Sequence, residues 1–154
     1  MIIQMSKVRE PVSEQQLADI ETELGIRLPR GYKEFIFKYN GGRPRPAGFV
    51  IQSGAHEDRS LVDFFFSFTP GDLYDIVKYH KRLKGRIPSD LLPIATDPFG
   101  NIICLSVSGA TEGKVFFWDH EEESEESCLP SYDNVYLIAE NFESFINGLT
   151  DFPD

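Results

Sequence analysis

Along the chain, apolar residues spaced three and four apart give way to short β-branched and aromatic runs. This change of period marks out the elements. Ser13 opens the first helix as its cap, Gln16 three residues on completes a capping box, and Val12 and Leu17 stand as a hydrophobic staple. Leu17, Ile20 and Leu24 line one face and Gly25 stops the helix. A second helix is predicted from about Arg30 to Tyr39, its apolar stripe being Tyr32, Phe35, Ile36 and Tyr39. Pro29, after Leu28, suits its first turn, and Asn40-Gly41-Gly42 ends it with residues that tolerate positive φ. RPRPAG, residues 43–48, reads as a loop.

Beyond that loop GFVIQ (48–52) and SLVDFFFSF (60–68) read as strands. Thr69-Pro70-Gly71-Asp72 interrupts them, and Asp72 is the expected cap of a third helix running to about Lys84. Leu73, Ile76, Val77 and Leu83 would share its buried face, with Lys78 and Arg82 pointing away. LLPIA, NIICLSV and KVFFWD follow as strands, then VYLIA as the last one. Asn141 caps a final helix in which Phe142, Phe145, Ile146 and Leu149 keep the helical spacing. Helices, strands, helix, strands, helix is the order of an α+β fold with a mainly antiparallel sheet. One domain over residues 1–154, with its core from about 13 to 150, accommodates the pattern.

Composition narrows the class. A hydrophobic fraction of 41% and an aromatic fraction of 13% exclude a disordered chain. No window approaches a membrane span, and the start lacks the apolar run of a signal peptide. Cys104 and Cys128 form no CxxC, so a reducing, cytoplasmic setting is expected. Charge is unevenly placed. DHEEESEE, Asp119 to Glu126, holds six acids, and without them the net charge of −10 would fall to −4. Lys78 to Arg86, KYHKRLKGR, holds only basic and neutral residues. A net acidic chain suits a basic protein partner better than nucleic acid.

Catalytic readings fare poorly. Asp97-Pro98-Phe99-Gly100-Asn101 could be a phosphate-binding turn, but a strand rather than a helix follows it, so a hairpin corner is the better reading. Asp119-His120-Glu121 carries three ligating types, and on a strand Asp119 and Glu121 would converge. A metal-dependent enzyme using Asp97, Asp119 and Glu121 is therefore the third-ranked reading, because no HExxH or matching histidine spacing supports it. His80 is expected to be half-buried or a helix-end cation, and Cys104 a core thiol. Ser106 and Ser108 lack a nucleophile-elbow setting. Arg43 and Arg45 with the basic helix could hold an anion, but no aromatic pattern accompanies them for nucleic-acid stacking.

Four ordered segments resemble the SUKH superfamily, also called the Smi/Knr family after yeast regulators of cell-wall assembly. The first runs from Glu14 to Gly42 and includes Leu28-Pro29, Tyr32-Lys-x-Phe35 and Asn40-Gly41-Gly42. The second is LLPIATDPFGNIICLSVSG, with Asp97, Gly100 and Asn101 at its turn. GKVFFWDHEEE follows, and the closing piece is VYLIAENFESFINGL with Phe142 and Phe145. Two positions depart from the family pattern: Ser106 stands where members often have Asp, and Asn141 where many have Ser.

The resemblance implies an α+β binding domain without catalytic activity or cofactor. Bacterial members are similar to immunity proteins that neutralise a cognate polymorphic or contact-dependent toxin, often a nuclease, by binding it. The expected partner is thus a basic toxin domain, with no direct role for nucleic acid, membrane or metal. Partner-binding candidates are Asp119, Glu121, Glu122, Glu123, Glu125 and Glu126, with Trp118 and Tyr132 as aromatic anchors. Phe117 is a further aromatic candidate, and one of Phe117 and Trp118 is expected to face the core. A regulatory scaffold resembling the eukaryotic members is the alternative. The sequence leaves the oligomeric state open.

Overall fold

The computed structural model describes residues 3–123 and 130–152. Its elements are β1 (Gln4–Ser6), α1 (Glu14–Leu24), α2 (Arg30–Lys38), β2 (Arg43–Arg45), β3 (Gly48–Ser53), β4 (His56–Leu61), β5 (Phe64–Phe65), α3 (Ile76–Leu83), β6 (Leu91–Thr96), β7 (Ile102–Ser106), β8 (Val115–Trp118), β9 (Val135–Ala139) and α4 (Phe142–Asn147). All named strand pairs are antiparallel, in an α+β arrangement. Strands β5-β6-β7-β8-β9 make a meandering sheet, beside a β3-β4 hairpin and a short β1-β2 pair.

Local chemistry explains the helices. Ser13 accepts from the Gln16 amide while the Gln16 side chain accepts from the Ser13 amide, and Gly25 terminates α1 at φ +69°. The α2 stripe of Tyr32, Phe35 and Ile36 is buried, Tyr39 falling just outside the helix, and Pro29 occupies the cap position. Asn141 accepts from the Ser144 amide at 2.8 Å and starts α4. Phe142 joins the two helices, its ring 5.0 Å from Phe35 and 5.1 Å from Tyr32.

Asn40 does more than end a helix. Its Nδ2 donates to the Glu10 carbonyl at 2.8 Å and its Oδ1 accepts from the Phe68 amide at 2.7 Å, tying three segments together. At Gly42, φ is +116° and a Cβ would lie 2.6 Å from the Ser6 carbonyl, so only glycine lets β1 approach.

Three sequence expectations are corrected. Residues 43–45, read as loop, form β2 against β1, Pro44 facing inward opposite Met5. Three residues carry no usable period, and proline is compatible with so short an edge pair. SLVDFFFSF is not one strand. The chain leaves β4 at Leu61 and re-enters the main sheet at Phe64, and the unbroken aromatic run conceals the turn. Phe64, Phe65 and Phe66 are all buried, Phe64 stacking on Tyr74 at 3.9 Å and Phe66 on Tyr79 at 4.1 Å.

The third correction concerns α3, which is capped by Asp75, not Asp72. Asp72 is held by the Arg9 guanidinium at 3.1 Å, by Ser67 Oγ at 3.0 Å and by the Tyr74 amide at 3.2 Å. Those donors hold its carboxyl below the usual range against the opposing effect of burial, which is the largest single influence. Asp75 Oδ1 is the group that accepts from the Val77 amide. Leu73 therefore lies before the helix and is 65% exposed instead of sharing its buried face.

The sheet is covered on both sides. On one, Phe49 of β3 packs 5.9 Å from Phe117 and 5.7 Å from Phe145. On the other, Phe116 meets Tyr132 edge-on at 6.5 Å, and the Arg86 guanidinium lies over Trp118. Cys104, opposite Phe116 in the sheet, is fully buried, and burial pushes its thiol far above the usual range, as expected of a core cysteine.

Candidate protein-binding face

The acidic segment begins where β8 ends, and its first residues are ordered by a dense set of hydrogen bonds. Asp119 and Asn134 are tied twice: the Asp119 amide donates to the Asn134 carbonyl at 3.0 Å, and the Asn134 side-chain Nδ2 donates to the Asp119 carbonyl at 2.9 Å. The Asp119 carboxylate then accepts from the Glu121 amide at 2.9 Å and caps a single 3-10 turn, His120–Glu122. Glu122 accepts from Tyr136 Oη at 2.7 Å, and this contact chiefly raises the phenol above its ordinary pKa. Glu123 receives Arg86 in a fork, Nη2 to Oε1 at 2.9 Å and Nε to Oε2 at 3.1 Å. Glu125 and Glu126 lie outside the described residues.

This geometry overturns the strand reading of Asp119 and Glu121. The strand stops at Trp118, so the two carboxylates do not converge, and the Asp119 carboxylate is engaged as a cap. Trp118, expected as an anchor, is 1% exposed within the hydrophobic core, and the Arg86 guanidinium lies 5.5 Å over its ring. Phe117 is buried on the opposite face, so neither aromatic can touch a partner. Tyr132 remains 46% exposed, and burial followed by neighbouring Asp90 raises its phenol pKa.

The Gly-Asn turn is the second component, and the structure brings it against the first. Asp97, 3% exposed, accepts from the Phe99 amide at 2.9 Å, the Asn101 amide at 2.8 Å, Asn101 Nδ2 at 2.9 Å and Ser60 Oγ at 2.8 Å. Gly100 takes φ +87°, with His120 Nε2 only 3.2 Å from where a Cβ would stand. His120 Nε2 donates to the Phe99 carbonyl at 2.8 Å, and Asn101 Oδ1 accepts from the His120 amide at 3.1 Å. The hairpin corner is thus as expected, and Asp97 is a turn-holding carboxylate.

The consequence is Phe99, which the sequence did not single out. It is 68% exposed at the tip of a turn clamped from both sides. An aromatic in a turn flanked by Pro98 and Gly100 has no periodic partner, so nothing in the pattern separates it from ordinary turn sequence. Its neighbour Leu61 is 42% exposed and lines the same shallow groove of about 440 Å³, with Arg45, Arg59 and Phe152.

Chemically the face offers charge and an apolar anchor. Ser106, at the position often held by Asp, is fully buried and hydrogen-bonded with Thr111 Oγ1 at 2.8 Å. Among the described residues no group of three or more His, Cys, Asp or Glu side chains is placed to hold a metal ion, and no helix is long and apolar enough to cross a membrane.

Comparison with known proteins assigns the lineage. The SMI1 / KNR4 family (SUKH-1) model matches residues 11–148. The SPbeta prophage-derived protein YokK of Bacillus subtilis (strain 168) is 30% identical over 154 aligned positions, covering 90% of this chain and 75% of the relative. YnaB of the same organism is 46% identical over 33 positions, covering 21% of this chain and 23% of the relative. The matched span runs from the residue before the α1 staple to the glycine that ends α4, and the chain belongs to the SMI1 / KNR4 (SUKH-1) family.

Proposed function

We propose that this chain is a non-catalytic, cytoplasmic protein-binding module of the immunity type, which occludes a cognate toxin domain by stoichiometric binding. The observation that carries the reading is the fastening of Asp119–Glu123 to the turn bearing exposed Phe99, through His120 and Asn101. A ridge of acids beside a rigid aromatic is what a basic protein surface with an apolar recess would recognise. The acids accelerate encounter and select the sign of charge, while the aromatic supplies short-range energy. Holding both on one hydrogen-bonded support lowers the ordering cost of association.

The direct test is calorimetric titration of the purified chain with a toxin domain, where a neighbouring gene encodes one. The expected result is a one-to-one complex with Kd tighter than about micromolar, the range at which specific inhibition becomes effective. A weaker Kd, or undiminished toxin activity at saturating protein, overturns the reading for that pair. Association should also slow as salt rises, because the attraction of the acidic ridge is screened.

A further inference from the structure

The basic segment Lys78–Arg86 spans most of α3 and the residues after it; Arg86 reaches the acidic face, while His80 and Lys84 border a concave site of their own. Where α1 and α3 end side by side, a cleft of about 510 Å³ opens, within the range of small-ligand pockets. Its floor is apolar, made by Leu83, Ile87, Leu91 and Val107. Its rim carries Arg27 from the segment after α1, His80 from α3 and Lys84 from the cap that ends α3. The charges around it are sorted. Lys81 is paired with Glu23 at 3.4 Å, and Asp90 accepts from Ser108 Oγ at 2.6 Å. Arg27 and Lys84 are both exposed. In a chain of net charge −10, cations gathered on the lip of an apolar hollow are against the overall trend.

We propose that this cleft binds a small amphiphilic anion, its apolar body lying on Leu83, Ile87 and Val107 and its carboxylate or phosphate meeting Arg27 and Lys84. An apolar body gains from leaving water, and the charged head stays at the half-open rim where a cation can reach it without full desolvation. Two separated cations on different elements also fix the direction of entry, head outward and tail inward. His80 also lines the cleft; burial first, and then Lys84 and Lys81, hold its imidazole below its usual pKa, so it adds no acid to the rim.

The test uses octanoate, octyl phosphate and octylammonium as probes, followed by amide chemical shifts of the intact chain. Saturable shifts at Gly25, Gly85 and Ser108 with either anion, at millimolar concentration or below, are expected, and the better of the two names the headgroup. The exposed-site variant Arg27→Glu/Lys84→Glu should weaken binding by about tenfold or more while its melting temperature stays near that of the parent. No saturation with either anion, equal binding of octylammonium, or unchanged affinity in the double variant would overturn the proposal. None of these readouts involves the protein partner, so the outcome is independent of the immunity reading.

Discussion

Arg86 and Glu123 form a two-bonded fork at 2.9 and 3.1 Å, and the same guanidinium lies 5.5 Å above the Trp118 ring. The basic and acidic segments, distinct in sequence, meet through this pair. The fork holds Arg86 charged more firmly, its pKa raised chiefly by the hydrogen bonds it donates to Glu123. Both side chains keep contact with water, at 46% and 27% exposure, so their coupling should be modest. A double-mutant cycle with Arg86→Ala and Glu123→Ala, read by denaturant unfolding, should give about 1 kcal/mol at low salt and less at high salt. Zero coupling at low salt would show that the fork does not persist in solution.

Phe99 provides the sharpest test of the binding face. Its ring is 68% exposed, so Phe99→Ala should shift stability by less than about 0.5 kcal/mol, as surface changes do. The same change should cost about 2 kcal/mol in partner affinity, roughly thirtyfold in Kd, if the ring fills a recess on the partner. Calorimetry on the parent and variant separates the two effects. Unchanged affinity in a complex that the parent forms would move the interface away from this turn.

Much of this architecture was legible because several local signals coincide. Ser13, Gln16, Val12 and Gly25 agree on α1, and Gly100-Asn101 between two apolar runs agrees on the hairpin. The errors arise where a long-range contact decides. Asp72 has the sequence of a cap, but Arg9, distant in the chain, claims its carboxylate. Trp118 reads as an anchor beside an acidic loop, yet it is buried in the core, with Arg86 from the turn after α3 lying over its ring. Phe99 is the converse case. Its exposure follows from the clamp by Asp97 and His120, and neither bond can be inferred from spacing alone.

His80 makes stability depend on pH in a defined direction. Burial, Lys84 and Lys81 lower its folded-state pKa from 6.5, with Arg27 also bordering the cleft and Glu23 drawing Lys81 aside. Between the folded and unfolded pKa values the unfolded chain therefore binds more protons. The stability contribution is fully present above pH 6.5 and is lost as pH falls through the lower, folded-state value. Denaturation midpoints measured from pH 7.5 down to about 5 should decline, and His80→Gln should flatten part of that decline. A variant with an identical pH profile would place the titration on other groups.

Tyr32 offers a last and opposite expectation, a gain from removing a polar atom. The side chain is 1% exposed, its ring 5.1 Å from Phe142 and 6.3 Å from Phe68. Among the described residues its hydroxyl finds no hydrogen-bond partner, and burial pushes the phenol far above its usual range. Desolvating an unpaired hydroxyl costs about 1–3 kcal/mol, whereas the ring itself contributes apolar burial that phenylalanine keeps. Tyr32→Phe should therefore be neutral or stabilise the fold by about 1 kcal/mol, while Tyr32→Ala should cost about 3–5 kcal/mol through the cavity left against Phe142. Paired urea unfolding curves decide the matter. A loss above about 1 kcal/mol on Tyr32→Phe would show that the hydroxyl has a partner in solution, such as an ordered water.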